Sequence, residues 1–216
     1  MDPKEILKAS DIENIFSEKK AGMEDFFNEF SVLLPVVEKA GELYVLYELR
    51  ARHMDVQPGE ICFPGGKIES GENPKECALR ETWEEIGIPQ EKVKVITQLD
   101  MMVNYSNVAM YAYLGIVEES ALDELKLNPD EVEEVFLVPI KWLMDNEPEI
   151  YWTSVVPHPP KDFPYEKVTG GEPYKWRHGK APVPVYPEFG DKVIWGFTGR
   201  ITKRFVDTIK GGKSDV

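Results

Sequence analysis

The sequence predicts an α+β fold, on three observations. Runs rich in Val, Ile, Leu, Tyr and Phe recur at strand length through much of the chain. One polar stretch between them, Asn73 to Gly87, carries the start and stop signals of a helix. The last apolar run passes into a second helical pattern, and no internal repeat points to a solenoid. With 216 residues, 42% hydrophobic and 11% aromatic, the chain is long enough for one domain with a sizeable core, and residues 1–216 read as that domain.

In chain order, residues 3 to 29 read as an N-terminal helical segment, with Ile6, Leu7, Ile12, Ile15, Phe16, Phe26, Phe27 and Phe30 as apolar positions between charges. FSVLLPVVEK and ELYVLYELRA follow as two strands joined by a turn at Ala40-Gly41. Beyond the central helix, VKVITQLD and NVAMYAYLGIVE suit strands, and EEVFLVPIKWLMD reads as a strand leading into a short helix. Residues 147–191 are dense in Pro, Gly and aromatics. They read as an ordered insertion loop or small hairpin lying over the domain, either beside a ligand pocket or as a packing or dimer-forming element. A second copy of the chain is therefore a candidate partner. DKVIWGFTGRITKRFVDTIK closes the chain as a strand running into a helix.

The net charge of −14 argues against general binding to nucleic acid or to an anionic membrane. A small anionic ligand would need a local cation. Cys62 and Cys77 form no metal-type pair, which suits a reducing compartment. MDPKEILKAS lacks the apolar core of a secretory signal, and no apolar run reaches the roughly 20 residues of a membrane span. The expectation is a cytoplasmic protein.

The chemistry concentrates in FPGGKIESGENPKECALRETWEEIGI, residues 63 to 88. Asn73 is a good N-cap, Pro74 suits the first helical position, Glu76 has capping-box spacing, and Gly87 supplies a stop. At about 100° per residue, Leu79, Thr82, Trp83 and Ile86 share one face, which should meet a core. Arg80, Glu81, Glu84 and Glu85 share the other. An ordinary exposed face mixes signs, whereas this one gathers three carboxylates around one guanidinium. A hard divalent cation makes such crowding tolerable, and without one at least one carboxylate pKa should rise. Adjacent glycines in FPGGK let backbone approach a ligand, so a glycine loop facing an acidic helix suits a phosphate-containing substrate.

The stretch resembles the Nudix box. Gly66, Glu72, Arg80, Glu81, Thr82, Glu84, Glu85, Gly87 and Ile88 fall on its specified positions, with Thr82 departing in a slot that is usually hydrophobic. Seven specified letters at roughly 7% each recur by chance about once in 10⁸ starting points. The resemblance implies an α/β/α sandwich with a mixed β-sheet, a loop-helix-loop box, and hydrolysis of a nucleoside diphosphate linked to another moiety. It implies Mg2+, with Mn2+ as an alternative, held by Glu81 and Glu85, with Glu84 and the Gly66 carbonyl joining them. Arg80 would pair with Glu72, and Glu84 or Glu81 would serve as the base. Glu131, Glu133 and Glu134 are further acidic candidates that also read as a solvated strand entrance.

LYELRARHMDVQPGEICFPGG and VIWGFTGRI also resemble the coenzyme A pyrophosphatase branch of that family. Arg50, Ala51, Gly59 and FPGG stand at matching positions, which implies substrate contacts from Arg50, Arg52, Gly65, Gly66 and Lys67. Asp55 and Glu48 stand where the branch signature has arginine and threonine. An aspartate there favours the alternative of an ADP-ribose or other nucleoside-diphosphate-conjugate pyrophosphatase. A non-catalytic nucleotide-sensing module is the alternative of another class, and the retained box acids speak against it. The three histidines read as surface residues, and the two cysteines as filling small apolar space. Lys175, Trp176 and Arg177 read either as phosphate and adenine contacts or as a packing loop.

Overall fold

A computed structural model describes residues 8–19 and 28–211 of the chain. In chain order the elements are helix α1 (Ala9–Phe16), strands β1 (Asn28–Lys39), β2 (Glu42–Arg50), β3 (Ile61–Cys62) and β4 (Gly65–Lys67), and helix α2 (Pro74–Ile86). Strands β5 (Val93–Gln98), β6 (Met102–Val103), β7 (Val108–Val117) and β8 (Val132–Pro139) follow, then helix α3 (Ile140–Asp145). Strand β9 (Glu149–Val155), helix α4 (Tyr165–Thr169), strand β10 (Gly179–Val185) and helix α5 (Gly196–Ile209) complete the chain.

The main sheet is mixed, as expected. Its path is β3-β2-β1-β7-β5, with β4 on β1, β6 on β7 and β8 on β2. Strands β1 and β7 run parallel over ten residues, and the other described pairings are antiparallel. Period-two alternation sends the side chains of β1 and β2 to two cores. Val32, Leu34, Val36, Val45, Tyr47 and Leu49 join Ile201 and Phe205 of α5 on one face. Leu33, Val37 and Leu46 join Ala78, Leu79 and Ile86 of α2 on the other. The result is the α/β/α sandwich.

One feature of the sheet positions the site. Strand β1 pairs with β2 over Val36–Lys39 against Glu42–Val45. Toward the other end of both strands, β4 takes the β1 edge at Phe30–Val32, and β3 takes the β2 edge at Glu48–Leu49. The sheet is split there, and the Phe63–Gly66 segment crosses the split beneath α2.

Two expectations differ from the structure, and one pair of alternatives is decided. The N-terminal segment is not helical throughout residues 3–29, because α1 ends at Phe16 and Asn28 and Glu29 already belong to β1, held by ten residues of parallel pairing to β7. Ile6, Leu7, Phe26 and Phe27 lie outside the described residues. Of the two readings of residues 147–191, the structure has the hairpin: β9 and β10 pair antiparallel over seven residue pairs, joined by a longer connection. Their connection packs Trp176 against Phe163 and Tyr174, with the indole N–H donating to Tyr165 Oη at 3.2 Å. The indole thus serves as a packing centre within its own loop. The strand expected before α5 reduces to single bridges, Val185 with Trp195 and Phe189 with Lys192.

Candidate active site

Helix α2 begins and ends where the sequence places it. Asn73 Oδ1 accepts from the Lys75 N–H at 2.9 Å, Pro74 opens the helix, and Gly87 closes it with φ +76°. The buried arc is wider and turned differently from the expected one. Cys77, Ala78, Leu79, Thr82, Glu85 and Ile86 are buried, while Trp83 is 58% exposed. At about 100° per residue those six span roughly 200°. The physical reason is that α2 leans on two surfaces at once, the β1 side of the sheet and the glycine strand β4. Trp83 falls beyond the arc, and Glu85 falls inside it. Thr82 fits its apolar slot because its hydroxyl donates to the Ala78 carbonyl at 2.6 Å.

Glycines 65 and 66 let the acidic flank come this close. A Cβ on Gly65 would collide with the Ser31 carbonyl oxygen and Val32 Cα, and a Cβ on Gly66 would collide with the Glu81 carboxyl. In that contact Glu85, only 3% exposed, accepts from the Gly65 N–H at 2.7 Å. Burial, then the neighbouring Glu48 carboxylate, pushes the Glu85 carboxyl well above its usual range. Glu81 is half-buried and raised in the same direction, burial again leading. The rise expected from crowding is present, but burial is its larger cause.

Arg80 supplies the positive charge on the other flank. Its Nε and Nη2 donate to both carboxylate oxygens of Glu72 at 2.8 and 3.1 Å. Its Nη1 lies 2.9 Å from Glu81 Oε1 and 2.8 Å from Glu84 Oε2. The guanidinium holds Glu72 down to about 2, mainly through that hydrogen-bonded pair.

Sequence reasoning missed Glu48. Alternation along β2 sends Val45, Tyr47 and Leu49 to the α5 face, so Leu46 and Glu48 face α2. Glu48 is fully buried, its Oε1 accepts from the Cys62 thiol at 3.1 Å, and its Oε2 has no hydrogen-bond partner. Burial, with Glu131 and Glu81 adding to it, raises this carboxyl to about 7 against the lowering pull of Cys62 and Arg50. The available signal was a carboxylate inside the otherwise apolar strand LYVLYEL. Glu131 is close enough to raise Glu48, Glu81 and Glu85. Glu133 pairs with Arg52, and Glu134 with Lys192.

The remaining candidates scatter. Arg52 is exposed, its Nε 3.2 Å from Glu133, and Lys67 is exposed on β4. Arg50 lies at a register shift at the end of β2, its Nε buried without a hydrogen-bond partner. Burial raises both thiols, Cys77 to about 12, which keeps them protonated and poor nucleophiles.

The donor set fits a hard divalent cation. Glu48, Glu81 and Glu85 are oxygen donors crowded beside a glycine backbone, and Glu48 Oε2 is an orphaned buried oxygen. Among the described residues, no three His, Cys, Asp or Glu side chains already converge as a cage around one point. Glu81 and Glu84 are instead drawn to Arg80, and Glu85 to Gly65.

A split mixed sheet, a glycine strand and a capped acidic helix crossing it are the parts of a Nudix-type domain. The NUDIX domain model matches residues 29–155, and the chain belongs to the Nudix family. It is 31% identical over 163 residues to the peroxisomal coenzyme A diphosphatase NUDT7 of Mus musculus, an alignment covering 75% of this chain and 65% of the relative. It is 32% identical over 175 residues to the mitochondrial coenzyme A diphosphatase NUDT8 of Mus musculus, covering 80% and 74%. The chain spans 51% to 65% of the lengths of NUDT7 and of two Caenorhabditis elegans relatives, Nudix hydrolase 3 and the peroxisomal coenzyme A diphosphatase ndx-8. A MutT/nudix family protein from Enterococcus faecalis shares the fold with a TM-score of 0.53 at 16% identity, covering 94% of this chain and 70% of that one.

Proposed function

We propose that the protein is a Mg2+-dependent pyrophosphohydrolase that cuts the diphosphate of coenzyme A, giving 4′-phosphopantetheine and adenosine 3′,5′-bisphosphate. The observation that carries this reading is the buried carboxylate of Glu85 held against Gly65, with Glu81 against Gly66 and Glu48 behind. Such an arrangement is costly unless positive charge enters. The coenzyme A diphosphatase names of the relatives support the choice of substrate.

In this reading Glu81 and Glu85, with Glu84 and the Gly66 carbonyl, hold the cation. A divalent cation bound there neutralises the diphosphate and makes water a better nucleophile. Arg80, forked onto Glu72, fixes the acidic flank and keeps Glu81 and Glu84 in register along the helix. Glu84, 43% exposed and with one carboxylate oxygen held by Arg80, is the more accessible candidate to take a proton from the attacking water, with Glu81 the other. The backbone of Gly65 and Gly66 lets the diphosphate approach without a side chain in the way.

Among the described residues no helix is long and apolar enough to cross a membrane. The cytoplasmic expectation rests on composition, whereas two of the relatives are named for peroxisome and mitochondrion.

The test is a comparison of kcat/KM for coenzyme A and ADP-ribose with Mg2+ present. The reading predicts a larger value for coenzyme A. A far larger value for ADP-ribose would replace it with the alternative to which Asp55 pointed.

A further inference from the structure

A cavity of about 600 Å³ lies between the β9–β10 hairpin, the turn before β7 and the first turns of α5. Tyr105, Trp195 and Phe197 give it aromatic walls, and Lys180 and Arg200 line it as cations. A smaller cavity of about 80 Å³, lined by Arg50, Cys62 and Phe63, shares Gln57, Glu60, Trp195 and Phe197 with it. The two together lead from the end of β2, two residues past Glu48, out to Arg200.

Arg200 is the unusual residue. It is half-buried, yet among the described residues no carboxylate lies within 4 Å of it and no hydrogen bond engages its guanidinium, although the chain carries 39 acids and 25 Lys and Arg. Burial lowers its pKa from the ordinary arginine value, a cost that a local acid would normally offset. The one carboxylate in the cavity wall, Glu60, accepts from Gln57 Nε2 at 3.1 Å. Trp195 stands at the N-terminus of α5, so unpaired N–H groups of the first helical turn add to the positive character of that wall. Aromatic faces beside an unpaired guanidinium suit a base and a phosphate.

We propose that this cavity seats the nucleoside arm of the diphosphate substrate and that Arg200 pairs with a phosphate monoester on that arm. The inference rests on the coenzyme A reading and deepens it, because it assigns to α5 the phosphate recognition that Asp55 cannot supply.

The experiment measures kcat and KM for coenzyme A and 3′-dephospho-coenzyme A on the wild type, Arg200→Ala and Arg200→Lys. Calorimetry adds the binding of adenosine 3′,5′-bisphosphate and of AMP. The wild type prefers the substrate with the 3′-phosphate. Arg200→Ala raises KM for coenzyme A by about 10- to 100-fold, holds kcat, and moves the dephospho substrate by no more than about twofold. Arg200→Lys restores part of the preference. The same variant weakens adenosine 3′,5′-bisphosphate and spares AMP. Equal losses on both substrates, or a wild type indifferent to the 3′-phosphate, overturn the inference while leaving the coenzyme A reading intact. A wild type that cuts neither substrate overturns both. Should Arg200→Ala fail to fold, the wild-type preference and Arg200→Lys still decide.

Discussion

Glu85 Oε2 accepts a 2.7 Å hydrogen bond from the backbone N–H of Gly65, twenty residues away, in a site where Glu85 is 3% exposed. This contact ties the acidic helix to the glycine strand and commits a carboxylate to the interior. Replacing Glu85 by Gln keeps an oxygen that can accept from Gly65 and removes the ionisable group. Glu85→Gln folds with an unchanged circular dichroism spectrum, while kcat/KM falls more than about 100-fold, beyond what an outer-shell partner costs. Turnover near wild-type level would remove Glu85 from the chemistry.

The adjacent glycines separate fold from function. Gly65→Ala drives a Cβ into backbone, at the Ser31 carbonyl and Val32 Cα, and lowers the melting temperature by at least several degrees. Gly66→Ala meets the end of the flexible Glu81 side chain instead. It melts near the wild type and loses activity. Thermal melts and turnover measured on both variants check the contrast.

Glu72 gives the protein an acid-sensitive term. Its folded pKa is depressed to about 2 by the forked pair with Arg80. The stability it contributes is complete above its unfolded value near 4.5 and is lost as pH falls toward 2. Arg80→Lys cannot make the fork, so melts between pH 2 and 6 show a shallower acid limb than the wild type. Identical limbs would dissociate Glu72 from the acid behaviour.

The orientation of α2 is checked by two substitutions. Trp83→Ala, at a 58% exposed position, changes stability by no more than about 0.5 kcal/mol. Ile86→Ala, fully buried among Leu33, Val37 and Leu46, costs about 2–5 kcal/mol. Denaturant titration of both variants decides, and a large loss at Trp83 would contradict the observed face.

Much of this was legible in the sequence because its signals are local. Asn73, Pro74 and Gly87 bound α2 correctly because capping depends on residues within one turn. The Ala40-Gly41 turn was legible for the same reason, with φ +53° and +80°. The misreadings concern tertiary contacts. Periodicity placed Trp83 with Leu79 on one apolar stripe, but a helix wedged between a sheet and a glycine strand is buried over a wider arc that takes in Glu85. Glu48 was passed over because its burial follows from the α2 face of β2, and only the assembled sheet shows which acid lies opposite. Strands β3, β4 and β6 hold two or three residues each, too short for a pattern of period two to register. The β9–β10 hairpin, with Pro182 and Pro184 in β10, lacks the composition of a strand.

In the proposed reaction the carboxylates gathered by α2, β2 and the glycine strand cut a diphosphate by attack of water. Incubation of the protein with coenzyme A and Mg2+ in ¹⁸O-labelled water, followed by mass analysis of the products, tests it most directly. The account predicts 4′-phosphopantetheine and adenosine 3′,5′-bisphosphate, with one of the two carrying a single labelled oxygen, and neither product from Glu85→Gln. Intact coenzyme A after incubation, or label-free products, would contradict it.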